Sequence, residues 1–446
     1  MSAVWTIAIE ALSWMELEGT SLAAAVTRTS SQLGIHDHRQ VAAARHLVRE
    51  CLRRRNFIDA IIAHALAPEA PTAFSLGVQA FLRLYTYETT FTAAGRAAGV
   101  PLAALGRRIL GWKTVRPVEE ALGRILAVNP LALLNDRDEI ERISLRTFHP
   151  PWFTRYCIRL LGRRDALQLL TTREDGAHSI LCVNPFQAGE AAVLSTLAAQ
   201  GVNVEPVAAL PYVYRLMETP VPLTRLPAFR DGTIFLPTLA ACLAVVAGKP
   251  TAGDRILDVG ATHSGKAAYA ALFLQESGRV IAVDYPSRRM MRLQAQLRRL
   301  GLPHVTVVAA DPASTLPVAG TADVIYVSPP SSGSGAFWRT AAKWRGSAVV
   351  TPMRERQWRL LTASVKSLSP RGRIVYSTSS ILVEENELII ERFIQEHPDF
   401  LLADVTPRLG RPGLRGQGEA LRLYPHQHHV DGTFIACLVR GAEVDF

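Results

Sequence analysis

Tyr326-Val327-Ser328-Pro329-Pro330-Ser331-Ser332-Gly333-Ser334-Gly335 follows the apolar run Ala322-Asp323-Val324-Ile325, and together they decide the fold class. An apolar, β-branched run that stops in proline, serine and glycine predicts a buried strand opening into a tight loop. In open α/β sheets ligands bind at such strand ends. The same pattern recurs on both sides, with strands expected at 255–259, 280–283, 305–309 and 373–376 and helices at 266–275, 287–300 and 355–368. Strands spaced by helices of this length argue a Rossmann-like, doubly wound parallel sheet over residues 236–446. A helix at 238–246 opens this α/β domain, and 433–439 reads as an antiparallel edge strand that closes it.

Upstream the pattern changes twice. Helices at 152–161 and 165–171 lead into strands at 179–184 and 202–207 around a helix at 189–200, a small α+β module over 141–235 with 229–237 as connector. In a first domain over 1–140 the pattern is helical from Val4 to about Leu133, with turn signals near Gly34, Pro68 to Pro71, Gly99-Val100-Pro101 and Pro117. Segments 40–54, 55–66 and 74–86 each carry one apolar stripe and predict an all-α bundle.

Composition narrows the class. With 48% hydrophobic and 20% charged residues the 446-residue chain is globular. Its uncharged apolar run from Leu236 to Gly248 contains Pro237 and is too short for a bilayer span. The acids Glu10, Glu16 and Glu18 near the amino terminus do not fit a signal peptide, so a cytoplasmic protein is expected. Five scattered cysteines, never in a C-x-x-C pair, suggest neither a disulfide framework nor zinc. His426, His428 and His429 read as loop residues, and no metal is expected. A formal charge of +10 favours a polyanion, and RNA is the expected partner. The basic candidates are Arg53 to Arg55, Arg107-Arg108, Lys113, the Arg155 to Arg164 series and Arg288-Arg289-Arg292, with Trp152 available for stacking.

Chemistry is expected at the strand ends. The first strand runs through Asp258-Val259-Gly260 to Gly265-Lys266 and straight into a helix, a small-residue loop that lets backbone approach a ligand. Asp284 closes the second strand, where an acid bonds ribose hydroxyls, and Asp311 closes the third, within reach of an adenine edge. Three such acids without G-x-G-x-x-G point to an adenosyl cofactor such as S-adenosylmethionine. The alternative is three helix-capping or turn-forming aspartates.

Arg255-Ile256-Leu257-Asp258 through Gly265-Lys266, Asp284 with Arg288, Asp311, Tyr376 to Ile381 with Glu384 to Glu387, and Arg422 to Ala436 occur in the order seen in one family. From about His149 to Arg440 the chain resembles the Nop/Sun (RsmB-like, Fmu) RNA cytosine-5 methyltransferases. Residues 1 to about 140 resemble the NusB-type helical RNA-binding domain that some members carry. The resemblance implies S-adenosylmethionine held by Asp258, Gly260, Gly265, Lys266, Asp284, Arg288 and Asp311, and an rRNA or tRNA substrate.

It also implies the reacting positions. The family's D-A-P-C-S-G stands here as Ser328-Pro329-Pro330-Ser331-Ser332-Gly333, and its Y-S-T-C-S as Tyr376-Ser377-Thr378-Ser379-Ser380. The candidate catalytic positions are therefore Ser379 for the nucleophile, Ser331 for the second cysteine and Ser328 for the acid, with Lys266 ending the cofactor loop. His263-Ser264 replaces the family's Pro-Gly. Covalent activation of a pyrimidine needs a thiolate, and no base adjoins either serine in sequence. The expectation is an RNA-binding family member inactive in 5-methylcytosine formation. The alternative is non-covalent, amino-directed methylation through Ser328-Pro329-Pro330, for which Phe337 or Trp338 would supply the stacking ring.

Overall fold

The computed structural model describes residues 1–172, 179–261, 265–274, 277–313 and 320–441, with only the backbone of Arg288. It divides into two compact units, Met1–Thr171 with Phe337–Gly346, and Thr172–Ala336 with Ser347–Phe446. No helix among the described residues is long and apolar enough to cross a membrane.

The first unit is helical because its apolar residues recur at three- and four-residue spacing and its turns carry caps. Ser21, Asp37 and Asp138 each accept a first-turn backbone N–H, starting helices Leu22–Gln32, His38–Arg53 and Glu139–Thr147. Trp5, Ile58, Phe81 and Tyr85 fill the core. A Cβ on Gly106 would lie 2.3 Å from the Phe81 ring, so only glycine lets helix Gly99–Leu110 approach that ring. The expected break between 161 and 165 is Gly162, at φ 76, inside the helical run Pro151–Leu170.

The 337–346 segment packs into this unit. Phe337 sits with its ring centroid 4.8 Å from that of Phe153, and the Trp344 indole donates to the Leu52 carbonyl. Lys343 is 2% exposed, and burial, reinforced by Arg53 and Arg54, pulls its amine down to about 7. A lysine depressed on folding contributes most favourably above its unfolded pKa and costs stability as pH falls through its folded one. Lys343→Met is therefore expected to raise stability near pH 6 by roughly 2 kcal/mol and to flatten the rise between about pH 7 and 10. Urea midpoints across that range measure it.

The second unit holds two sheets. Strands β1 (Ile180–Val183), β2 (Asn203–Pro206), β3 (Val213–Glu218) and β4 (Ile234–Phe235) form a small antiparallel sheet in the order β2-β3-β1-β4. The expected connector 229–237 thus contributes a strand, because buried Ile234 and Phe235 pair with Val183 and Cys182.

The larger sheet comprises β5 (Arg255–Val259), β6 (Arg279–Asp284), β7 (Val305–Ala309), β8 (Ala322–Val327), β9 (Leu368–Thr378), β10 (Phe400–Ala403), β11 (Arg411–Pro412), β12 (Leu421–Leu423) and β13 (Thr433–Arg440). Its order is β11-β12-β13-β9-β8-β5-β6-β7, with β10 also on β13. Strands β5 to β9 are parallel, and the chain moves outward from β5 to β7 before returning to the other side of β5 at β8. That reversal is the switch point of a Rossmann-like fold. β13 is antiparallel as expected but is not an edge: β9 covers one side, and β10 and β12 share the other.

Candidate functional site

The switch point brings the opening stretch against the cofactor loop. β5 and β8 pair from Ile256–Val324 to Val259–Val327, so both strands end at the same level. The Ser328 N–H then donates to the Val259 carbonyl at 2.8 Å. Gly260, at φ 80, follows β5. A Cβ there would lie 2.3 Å from the Ser328 carbonyl oxygen, so glycine is required by both backbone angle and contact.

Beyond Ser328 the loop is clamped to the end of β9. The Glu385 carboxylate, fully buried, accepts from the Ser332 N–H at 2.7 Å, the Ser332 hydroxyl at 2.5 Å, the Gln357 amide at 2.9 Å and the Ser380 hydroxyl. Ser334 and Ser380 hydroxyls meet at 2.9 Å, and Gly335 N–H donates to the Ser379 carbonyl at 3.2 Å. Asn386 ties the same turn, donating to the Ser380 carbonyl and accepting from Thr378. A second buried acid, Glu387, forms a forked pair with Arg422, whose guanidinium also donates to the Ile381 carbonyl at 3.0 Å. Buried carboxylates persist only with this degree of pairing.

Three of the expected site residues lie on these loops. Ser328 is half-buried and its hydroxyl meets that of Ser377 at 2.9 Å. Ser331 is half-buried and its hydroxyl accepts from the Gly333 N–H at 3.3 Å. Ser379 is exposed. Among the described residues no histidine, lysine or carboxylate is hydrogen-bonded to the hydroxyl of Ser331 or Ser379. His263 and Ser264 lie outside the described residues. All five cysteines are buried, and none belongs to these loops.

The charged residues expected at the cofactor side separate into a buried pair, Asp258 and Lys266, and two less buried acids, Asp284 and Asp311. Asp258 is fully buried within β5 and lies 3.8 Å from Lys266, which is 2% exposed at the start of helix Lys266–Ala271. Burial pushes the Asp258 carboxyl up, Lys266 opposes it and Asp284 adds to it. Of the three strand-end acids, Asp258 is the one the protein buries, with Lys266 as its ion-pair partner. Gly265, at φ 69, caps that helix. Asp284 ends β6 half-buried, its carboxylate accepting the Tyr285 N–H at 2.7 Å. Asp311 is exposed beyond β7 and held below the usual carboxylate range by the Tyr285 hydroxyl, then the Ala313 N–H, with Arg356 and Arg359 adding to it. Arg288 opens helix Arg288–Leu300.

Two aromatic expectations fail. Phe337 and Trp338 are 1% and 6% exposed in the helical unit, so neither ring is available to stack on a base. Trp152 is half-buried, with its ring edge-on to Phe153 and Phe337 at centroid distances of 5.5 and 6.0 Å. The clamp of Glu385, Glu387, Arg422 and Gln357 was not assigned from sequence. Its signal was an unbroken E-E-N-E after a strand, an acidic run too close to apolar neighbours to be a solvated face. Glu385→Gln would turn an amide N–H towards two of the four groups that now donate to the carboxylate and is expected to cost about 2 kcal/mol, measured by thermal or urea unfolding.

Residues 245–439 match the family described as 16S rRNA methyltransferase RsmB/F. The chain is 30% identical over 315 residues to the ribosomal RNA small subunit methyltransferase B of Sodalis glossinidius, covering 70% of each chain. It is 28% identical to the 25S rRNA (cytosine-C(5))-methyltransferase nop2 of Schizosaccharomyces pombe over 63% of this chain, spanning about half (49%) of that longer relative. The fold is similar to that of a methyltransferase homolog protein from Pyrococcus horikoshii, with TM-score 0.62 and 25% identity over 68% of this chain and all of the other.

Proposed function

Because the chain belongs to the RsmB/F family of S-adenosylmethionine-dependent RNA cytosine-5 methyltransferases, we propose that it binds RNA and S-adenosylmethionine at the switch point but does not form 5-methylcytosine. The observation that carries this reading is the pair Ser331 and Ser379. They occupy the two positions where the family resemblance calls for thiols, in loops otherwise held by the buried hydrogen bonds of Glu385. A neutral serine hydroxyl attacks an aromatic ring carbon only with a base to take its proton, and no such group is bonded to either hydroxyl among the described residues. A cysteine needs no such help, since a few per cent is already thiolate near neutral pH.

The residues at the cofactor side fit an adenosyl group. Asp284 offers a carboxylate to ribose hydroxyls and Asp311 one to the exocyclic amine, both as acceptors at strand ends. Gly260 and Gly265 keep the loop backbone close, Asp258 and Lys266 form a buried ion pair at its two ends, and Arg288 begins the helix that follows Asp284. S-adenosylmethionine, when bound, supplies an electrophilic methyl group. The protein then acts as an RNA-binding member of the family, with RNA held through the basic surface that gives the chain its +10 charge.

Calorimetry with S-adenosylmethionine tests the reading. One molecule per chain should bind, and Asp284→Ala should weaken it more than about tenfold, the loss of a charge-assisted contact. A flat titration of the folded wild-type protein would remove the cofactor from the account.

A further inference from the structure

We propose that the turn carrying Trp112 is a stacking platform for an unpaired base of bound RNA, flanked by Arg108, Lys113 and Arg116 as phosphate contacts. The inference rests on the RNA-binding reading and assigns it a place on the helical unit.

Gly111, at φ 86 and ψ 146, ends helix Gly99–Leu110, and the short turn Trp112–Val115 follows at once. Trp112 is 51% exposed, and of the chain's seven tryptophans no other is more than about a third exposed. Its ring is not loose. The Arg107 guanidinium lies 5.4 Å from the ring centroid and is itself held by Glu119. An arginine fixed in this way braces the indole, and the exposed remainder of the ring faces solvent.

Exposed cations in this unit are of two kinds, acid-paired and unpaired, and those within five residues of Trp112 include both. Arg107, Arg124, Arg137 and Arg163 are each paired with a glutamate. Arg108, Lys113 and Arg116 are exposed and have no acid partner among the described residues. Three unneutralised cations beside an open indole match a chain with negative charge at each step and a flat apolar face between charges, which is single-stranded nucleic acid. A duplex buries its base faces and offers the indole nothing.

The test uses the full chain, labelled single-stranded and duplex oligoribonucleotides, and an abasic ribose-phosphate oligomer. Trp112→Ala should weaken single-strand binding about 5- to 20-fold while leaving the salt slope and the affinity for the abasic oligomer unchanged. Trp112→Phe should recover most of the loss. Replacing Arg108, Lys113 and Arg116 by alanine should lower the salt slope by about 2. Unchanged single-strand binding by Trp112→Ala, with the wild type binding RNA well, overturns the platform and leaves the RNA reading standing. Equal loss on the abasic oligomer makes Trp112 merely structural and also overturns it. Binding to phosphatidylserine vesicles that depends on Trp112, with no RNA binding by the wild type, overturns both readings.

Discussion

Ser331→Cys and Ser379→Cys combined with Ser328→Asp are expected to give a protein that forms 5-methylcytosine in RNA, at a rate at least about a thousandfold above the unaltered chain. The expectation follows from what the clamp holds. Glu385 fixes the 328–335 loop through Ser332 and the 376–381 turn through Ser380, while Arg422 holds the Ile381 carbonyl. None of these contacts uses the hydroxyl of Ser331 or Ser379, so changing those atoms leaves the scaffold in place. In the roles that the family resemblance implies, a thiol at 379 would supply the nucleophile, a thiol at 331 would help release the product, and a carboxylate at 328 would contact the base. Mass spectrometry of nucleosides from treated RNA reads the outcome. If the triple variant binds S-adenosylmethionine and RNA and still makes no 5-methylcytosine, the loops are not preserved in working geometry, and the claim that only the reactive atoms are missing fails.

The second large effect is on stability. Arg422→Met should cost about 3–5 kcal/mol, because it leaves the Glu387 carboxylate buried and unpaired. The Arg422 side chain is itself 1% exposed, so little solvent reaches the vacated space. Replacing both partners, Glu387→Leu with Arg422→Met, should recover most of that loss, since the desolvation penalty vanishes with the charge. Urea denaturation measures both. A single variant as stable as the unaltered chain would mean that Glu387 finds another partner or water, and would remove the pair from the account of how the 379–381 turn is held.

The parallel sheet was legible because its strands are short apolar runs ending in Gly, Pro, Ser or Asp, and because helices such as Arg288–Leu300 and Val350–Val365 separate them. β4 was hidden by its length: two residues, Ile234 and Phe235, carry no period. β13 was read as an edge because Leu421–Leu423, which covers it, is a three-residue strand inside a stretch rich in Gly and Arg. The serines of the site were visible as residues, but their surroundings were not. Ser379 and Ser380 are adjacent in sequence and opposite in exposure, and only the position of Glu385 tells which one is structural. Asp258 shows the same limit, since an exposed strand-end acid and a buried one paired with a lysine look alike in sequence. The aromatics Phe337 and Trp338 looked available for bases, yet the structure buries both and leaves Trp112 exposed.

The most direct measurement of the central claim is nucleoside mass spectrometry of ribosomal RNA and tRNA incubated with the purified chain and isotopically methyl-labelled S-adenosylmethionine. The account predicts bound cofactor and RNA but no labelled 5-methylcytosine above an enzyme-free control. Labelled 5-methylcytosine that is formed by the unaltered chain and lost on Ser379→Ala would contradict it, because the serine would then be serving as the nucleophile.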